Sequence, residues 1–425
     1  MISRAGPFAV AGLIVAGGVG GATPRMCLSR LWCAEALADP LTSSVQGQAS
    51  AAVPVAAKAA SAPLTATDLQ AAIGRLGAFE YADRAKAAQL VRRAPGPMAI
   101  PALLQATGEH ADGYVRYRAL VLLSAYADPR VPDEMERLSA DPNDRLRAVA
   151  YAYFERHPEP RLAPQLLAAF DKELAEFVRP ALARALAALA ADAKVRAALV
   201  RDVTRGQDFF RSTVIEALGD YKAAYATKAI TGVATLDGPL QDDAALALGK
   251  IGDKTSLAVL AGLQRTAPRE MQPTIAAAIC LLGTNCDTHR GYLARTLSFA
   301  DKMPGYQELL RGAAAGLAAI AESGDRQALE ALVDTGIPAQ DPARAPIALA
   351  LASVAVKSPA AILSALDERP DRSAAVELLR DGFDMLEEDF AEEGFYVTVR
   401  RAYWAAPEGS AARATAQEVI QKLEF

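Results

Sequence analysis

Few residues in this 425-residue chain could carry covalent or metal chemistry. Three histidines (His110, His157, His289) and four cysteines (Cys27, Cys33, Cys280, Cys286) are the whole supply of soft ligands. The frames that usually hold a nucleophile, a metal or a phosphate are missing: no Gly-x-Ser-x-Gly elbow, His-Glu-x-x-His helix, Walker loop or Gly-x-Gly-x-x-Gly turn occurs. His289 is the one imidazole near Cys280 and Cys286, and no second cysteine pair completes a zinc site. The expectation is a non-enzyme with no catalytic residue, no metal and no cofactor.

Four groups remain that could bind something. Cys280 and Cys286 flank Leu-Leu-Gly-Thr-Asn, where a helix should end and Gly283 lets the chain turn back. In an oxidising compartment they are a candidate disulfide, with two unpaired thiols as the alternative. Arg118, Arg147, Arg179 and Arg211 recur at spacings of 29, 32 and 32 residues. A cation at fixed pitch suits an extended acidic partner. The five donors of each guanidinium equally suit a turn aspartate or carbonyl of the adjacent unit, and this structural use is preferred.

The other two groups are adjacent. Asp381, Asp384, Glu387, Glu388, Asp389, Glu392 and Glu393 form a run without a base. It lacks the alternating Asp/Asn loop of a calcium hand and reads as a solvated helix face. The next segment, Phe395 to Trp404, gathers aromatics that are scarce elsewhere. A cap over the end of the fold is the default there. A docking patch of Tyr396, Arg400, Arg401, Tyr403 and Trp404 is the alternative, since Tyr, Trp and Arg anchor many interfaces.

The elements that must position these groups are helices. The chain is 52% hydrophobic but only 6% aromatic, with alanine and leucine dominant, which favours closely packed helices over a sheet sandwich. Asp128-Pro129, Asp141-Pro142, His157-Pro158, Gly238-Pro239 and Asp341-Pro342 mark corners, because proline is tolerated only in a first helical turn. Between corners the spacing is helical: Val115, Ala119, Leu122 and Tyr126 share a face, as do Leu146, Ala150 and Tyr153. Runs such as Ala181 to Leu189 are apolar on more than one side and need more than one covering neighbour, which a stack of repeats supplies.

The chain here resembles HEAT repeats, particularly the short bilin-lyase-like HEAT family. The resemblance rests on Val115-Arg-Tyr-Arg-Ala-Leu-Val-Leu-Leu with Ala127-Asp-Pro-Arg-Val, on Asp144-Arg-Leu-Arg-Ala-Val-Ala-Tyr-Ala, on Ala217-Leu-Gly-Asp and on Ala247-Leu-Gly-Lys-Ile-Gly-Asp. After Arg211 the register departs, with Asp243 taken as the equivalent position. The resemblance implies an all-α, right-handed superhelical solenoid of about nine antiparallel helix pairs over residues 67–390, closed by a helical cap over 391–425. It also brings an alternative function, a maturation factor of the bilin-lyase-like type acting on a protein partner. Iron-binding HEAT enzymes use His-Glu pairs, and this chain has no His-Glu dipeptide.

Arg4 followed by uncharged residues from Ala5 to Pro24 reads as a signal peptide or N-terminal membrane segment within residues 1–38, cleaved after Ala22 or near Ala36-Leu37-Ala38. Residues 39–66, rich in Ala, Ser and Pro, read as a disordered linker. The expected location is exported, periplasmic or envelope-associated. A net charge of −5 and an acidic pI near 5.5 speak against a nucleic-acid partner. The leading expectation is a non-catalytic scaffold that holds a protein partner, with membrane association through the N terminus as an option.

Overall fold

A computed structural model describes residues 64–303, 305–386 and 389–425. The export reading of residues 1–38 and the linker reading as far as residue 63 lie outside them; residues 64–66, expected to end the linker, instead include the N-cap Thr65 and the first residue of the first helix. Thr65 starts the described helices with a capping box: its hydroxyl accepts from the Asp68 amide at 3.1 Å, and the Asp68 carboxylate accepts from the Thr65 amide.

Twenty-two α-helices follow, arranged in consecutive antiparallel pairs. The first four pairs are α1 (Ala66–Arg75) with α2 (Tyr81–Arg93), α3 (Gly96–Glu109) with α4 (Gly113–Leu123), α5 (Arg130–Leu138) with α6 (Asp144–Arg156), and α7 (Ala163–Phe170) with α8 (Arg179–Ala188). The next four are α9 (Ala193–Asp202) with α10 (Asp208–Asp220), α11 (Thr227–Ala234) with α12 (Gln241–Ile251), α13 (Leu257–Thr266) with α14 (Gln272–Leu281), and α15 (Cys286–Asp301) with α16 (Gln307–Glu322). The last three are α17 (Arg326–Gly336) with α18 (Arg344–Lys357), α19 (Pro359–Asp367) with α20 (Arg372–Phe383), and α21 (Asp389–Ala405) with α22 (Ala411–Lys422). Ten pairs therefore precede the final one, against the nine or so expected.

Even-numbered helices from α4 to α20 pack side by side into an inner row, and their odd-numbered partners form the outer layer. Residues 347–352 of α18, Ile-Ala-Leu-Ala-Leu-Ala, are all buried, as a helix covered on several sides requires. Small residues set the spacing of the row. A Cβ on Gly219 would lie 2.9 Å from the Ala247 Cα, and one on Gly249 would lie 2.5 Å from the Ala278 Cα. The glycines of the two Ala-Leu-Gly segments thus mark where neighbouring inner helices touch backbone to backbone.

A second device fixes the pairs. Arg147 Nη1 donates to the Asp141 and Pro142 carbonyls, and Arg179 Nη1 to those of Phe170 and Glu173. Arg211 Nε donates to the Val203 carbonyl and Arg344 Nη1 to those of Gly336 and Ile337. Each side chain near the start of an inner helix thereby satisfies carbonyls left open where the preceding outer helix ends. Arg116, donating to the Thr107 carbonyl at 2.8 Å, fills the equivalent position in α4, and Gln241 and Gln272 fill it in α12 and α14. This corrects the register read from the sequence: the first rung is Arg116 rather than Arg118, and Asp243 is not a rung.

The inner row curls tightly enough for helix C-termini far apart in sequence to meet. Lys357 at the end of α18 lies 3.6 Å from Asp220 at the end of α10 and 3.1 Å from Glu322 at the end of α16. Lys250 donates to Asp220 at 2.6 Å, and Arg184 stands 3.6 Å from it. Cations gathered at helix C-termini complement the helix dipoles. Burial opposes the Asp220 charge, yet Lys357, Lys250 and Arg184 hold its carboxyl well below the usual range. Glu216 and Asp243, buried beside them, are pushed up, and Asp243 accepts from the Ser212 hydroxyl at 2.6 Å. The ends of these inner helices are thus tied to one another by paired charges.

Candidate functional site

The two ends of the array meet. α21 lies against the last pairs and also against α4, so the final pair caps the end of the solenoid and closes it on its beginning. Asp389 pairs with Arg118 and accepts from the Tyr117 hydroxyl at 2.5 Å. One turn on, Glu393 accepts from Arg92 Nε of α2 at 2.8 Å. Tyr396, another turn on, carries the Arg92 guanidinium 5.1 Å from its ring centroid and stacks on Phe425 at 4.0 Å. Gln89 donates to the Glu424 carbonyl.

Apart from Asp384, which is exposed, the described acids of the run are therefore not a solvated face. Glu393 is 1% exposed, Asp389 is tied to Arg118, and Asp381 accepts from Arg344 at 2.7 Å. Glu387 and Glu388 lie outside the described residues. Burial works against the Asp389 charge, but Arg118 and the Tyr117 hydroxyl hold its carboxyl below the usual range. Glu392, buried beside Asp389, is pushed up to about 8.

Beside this seam lies a cleft of about 470 Å³. Its apolar walls come from Val91 of α2, Leu122 of α4 and Val397 of α21. Its polar side is made by Arg92, Glu393, Arg400 and Arg401, with Trp404 at the rim, 73% exposed. Both Glu393 oxygens are engaged, Oε2 by Arg92 and Oε1 by Arg400 Nη2 at 3.2 Å. Arg400 Nη1 is shut off from solvent and has no acceptor among the described residues. A second hollow of about 460 Å³ shares Ala125, Tyr126, Glu393, Val397 and Arg401 with the first and is bounded by Tyr153, His157 and Phe390.

The structure divides the residues singled out from the sequence. Arg118 belongs to the seam, where it binds Asp389. Arg147 is bidentate to Glu173 and Arg211 pairs with Asp208 at 2.9 Å. Arg179 is 7% exposed and lies over the rings of Phe170 and Phe210. These four do not form one stripe for an acidic partner: three brace adjacent helices and the fourth joins the ends. Tyr396 is packed in the seam, and Tyr403 lies under Arg413, 4.7 Å from its ring centroid. Arg400, Arg401 and Trp404 converge on the cleft. Sequence reading missed Arg92 and took Glu393 for part of a solvated face, although residues 389, 393, 396 and 400 fall at helical spacing on one side of α21.

Cys280 and Cys286 are joined as a disulfide across the α14–α15 corner, with Cα atoms 4.1 Å apart. Their sulfurs are thus engaged with each other. No group of three potential metal ligands occurs among the described residues, and no single helix there is long and apolar enough to cross a membrane.

The described residues form an all-helical solenoid of antiparallel pairs. No family model and no curated protein matches the chain. Among solved structures, yeast importin-beta (Kap95p) is 12% identical with a TM-score of 0.40, over 84% of this chain and 62% of that one. Kap95p in a structure concerned with its binding to RanGDP gives 12% identity and a TM-score of 0.41, over 85% and 55%. Kap121p gives 14% identity and a TM-score of 0.30, over 85% and 46%. The chain spans about half the length of these proteins.

Proposed function

We propose that this protein is a non-catalytic scaffold that holds a protein partner at the seam where its first and last helix pairs meet. One observation carries the reading: Trp404 stands 73% exposed at the rim of a cleft whose floor combines apolar side chains with converging arginines. An aromatic and arginines around a concave apolar floor form the usual anchor of a protein interface. The bilin-lyase-like alternative would want a free thiol or imidazole in a cleft; Cys280 and Cys286 bond each other, and neither borders the two hollows beside α21, of which one is bordered by His157.

An exported, envelope-facing location belongs to the same proposal. It is supported by the uncharged run Ala5 to Pro24 behind Arg4. Fusing residues 1–38 to a reporter that is active only outside the cytoplasm should give activity, and a silent fusion would remove the location. For the scaffold, the tagged chain should recover a defined protein from the envelope fraction, and Trp404→Ala should lose it. Recovery of nothing in repeated trials, or equal recovery by the variant, counts against the function.

A further inference from the structure

We propose that the seam cleft takes the carboxylate of an acidic side chain presented between apolar residues of a partner polypeptide. This rests on the scaffold reading and specifies its chemistry. The argument begins with charge. Arg92 and Arg400 both donate to Glu393, so two guanidiniums share one buried carboxylate. One positive charge is left over, and Arg400, which lines the cleft, keeps its Nη1 without an acceptor among the described residues. A buried charged donor without a partner is costly, and an incoming anion removes that cost. Arg401, exposed at the mouth and free of side-chain hydrogen bonds and ion pairs among the described residues, adds a second donor group on the same flank.

Size and lining then select the kind of anion. The cleft of about 470 Å³ would hold many waters at roughly 30 Å³ each, far more room than a small inorganic ion fills. Val91, Leu122 and Val397 form walls with no polar side-chain group to offer such an ion. The α21 backbone around Arg400 lies inside the helix, so its amides are spent on helical hydrogen bonds and no amide nest exists for phosphate. What remains is a planar carboxylate on a guanidinium edge, flanked by aliphatic side chains on the walls and by the Trp404 indole.

Titrating the folded chain with the peptides Ac-Leu-Glu-Leu-NH2 and Ac-Leu-Gln-Leu-NH2 and with inorganic phosphate tests this, read by calorimetry and by tryptophan fluorescence in a Trp32→Phe background that leaves Trp404 as the one emitter. The glutamate peptide should bind saturably, with the glutamine peptide about ten-fold or more weaker, as expected for loss of a charge-assisted hydrogen bond. Arg401→Ala, at an exposed position, and Arg400→Lys, checked for native helix content, should each weaken the glutamate peptide and leave the glutamine peptide unchanged. Equal affinity for the two peptides, no binding by the wild type, or displacement by phosphate at equal concentration would overturn the proposal. If envelope capture through Trp404 persists while the glutamate peptide fails, the carboxylate chemistry falls and the scaffold stands. If both fail, both fall.

Discussion

Tyr117 of the second helix pair donates its hydroxyl to the carboxylate of Asp389, 272 residues further along the chain, at 2.5 Å. The same carboxylate pairs with Arg118, so adjacent residues of α4 hold the first turn of α21. Asp389→Ala removes both contacts and leaves a partly buried guanidinium without its partner. We expect a loss of roughly 2–4 kcal/mol from this contact. Solution X-ray scattering should show an increased radius of gyration for the variant, and unchanged dimensions would mean that the seam does not close the solenoid.

Glu392 makes the seam sensitive to pH. Burial, with Asp389 close by, pushes its carboxyl up to about 8, whereas in the unfolded chain it titrates near 4.3, the usual value. Between roughly pH 4 and 8 the folded chain therefore keeps a proton that the unfolded chain has released. Stability from this group falls as pH rises through that window and levels off above 8. Glu392→Gln should remove the effect, so its urea midpoint should exceed that of the wild type by more at pH 8 than at pH 5. A constant difference at the two pH values would show that Glu392 is ionised in the folded state.

Gly249→Ala places a methyl group against the backbone of Ala278, and Gly219→Ala places one against Ala247. Each should lower stability by about 1–3 kcal/mol through overpacking. Gly232→Ala on α11 meets nothing within 4 Å and should be neutral or stabilise by up to ~1 kcal/mol. Thermal unfolding of the three variants should separate them. A Gly249→Ala protein as stable as the wild type would mean that the inner helices can slide apart.

Arg179→Ala and Arg118→Ala should differ in where they act, although the sequence places both in one series. The first uncovers the Phe170 and Glu173 carbonyls and should lose roughly 2–4 kcal/mol, with hydrogen-exchange protection falling in α7 and α8. The second should lower protection in α21 and leave α7 and α8 unchanged. Identical exchange patterns would return both arginines to a single role.

The helix pairs were legible from local signals because a repeat contacts mainly its neighbours. Corner prolines, the Ala-Leu-Gly segments and a recurrence near thirty residues all report contacts within one or two pairs. Even so, the arginine series was entered at Arg118, two residues late. Arg116 and Arg118 both lie near the start of α4, and no sequence signal says which one reaches back to Thr107. The closure was not legible, because Arg92 and Glu393 are 301 residues apart and nothing local to either names the other. The acidic run reads as solvated for the same reason: two of its cations, Arg92 and Arg118, come from the opposite end of the chain, whereas Arg344 and Arg400 lie nearby in sequence. A stripe of acid, acid, tyrosine and arginine at residues 389, 393, 396 and 400 was the available hint that α21 has a polar face with a fixed destination.

An open repeat array can fray from either end, because each terminal unit has one neighbour and little to hold it. With α21 seated on α2 and α4, the first and last pairs hold each other. Loss of any one pair then releases the contacts that span hundreds of residues, and unfolding becomes a single event instead of a progressive peeling. The same contacts raise the mean sequence separation that folding must bridge, so the chain should reach its closed form more slowly than a linear array of equal length.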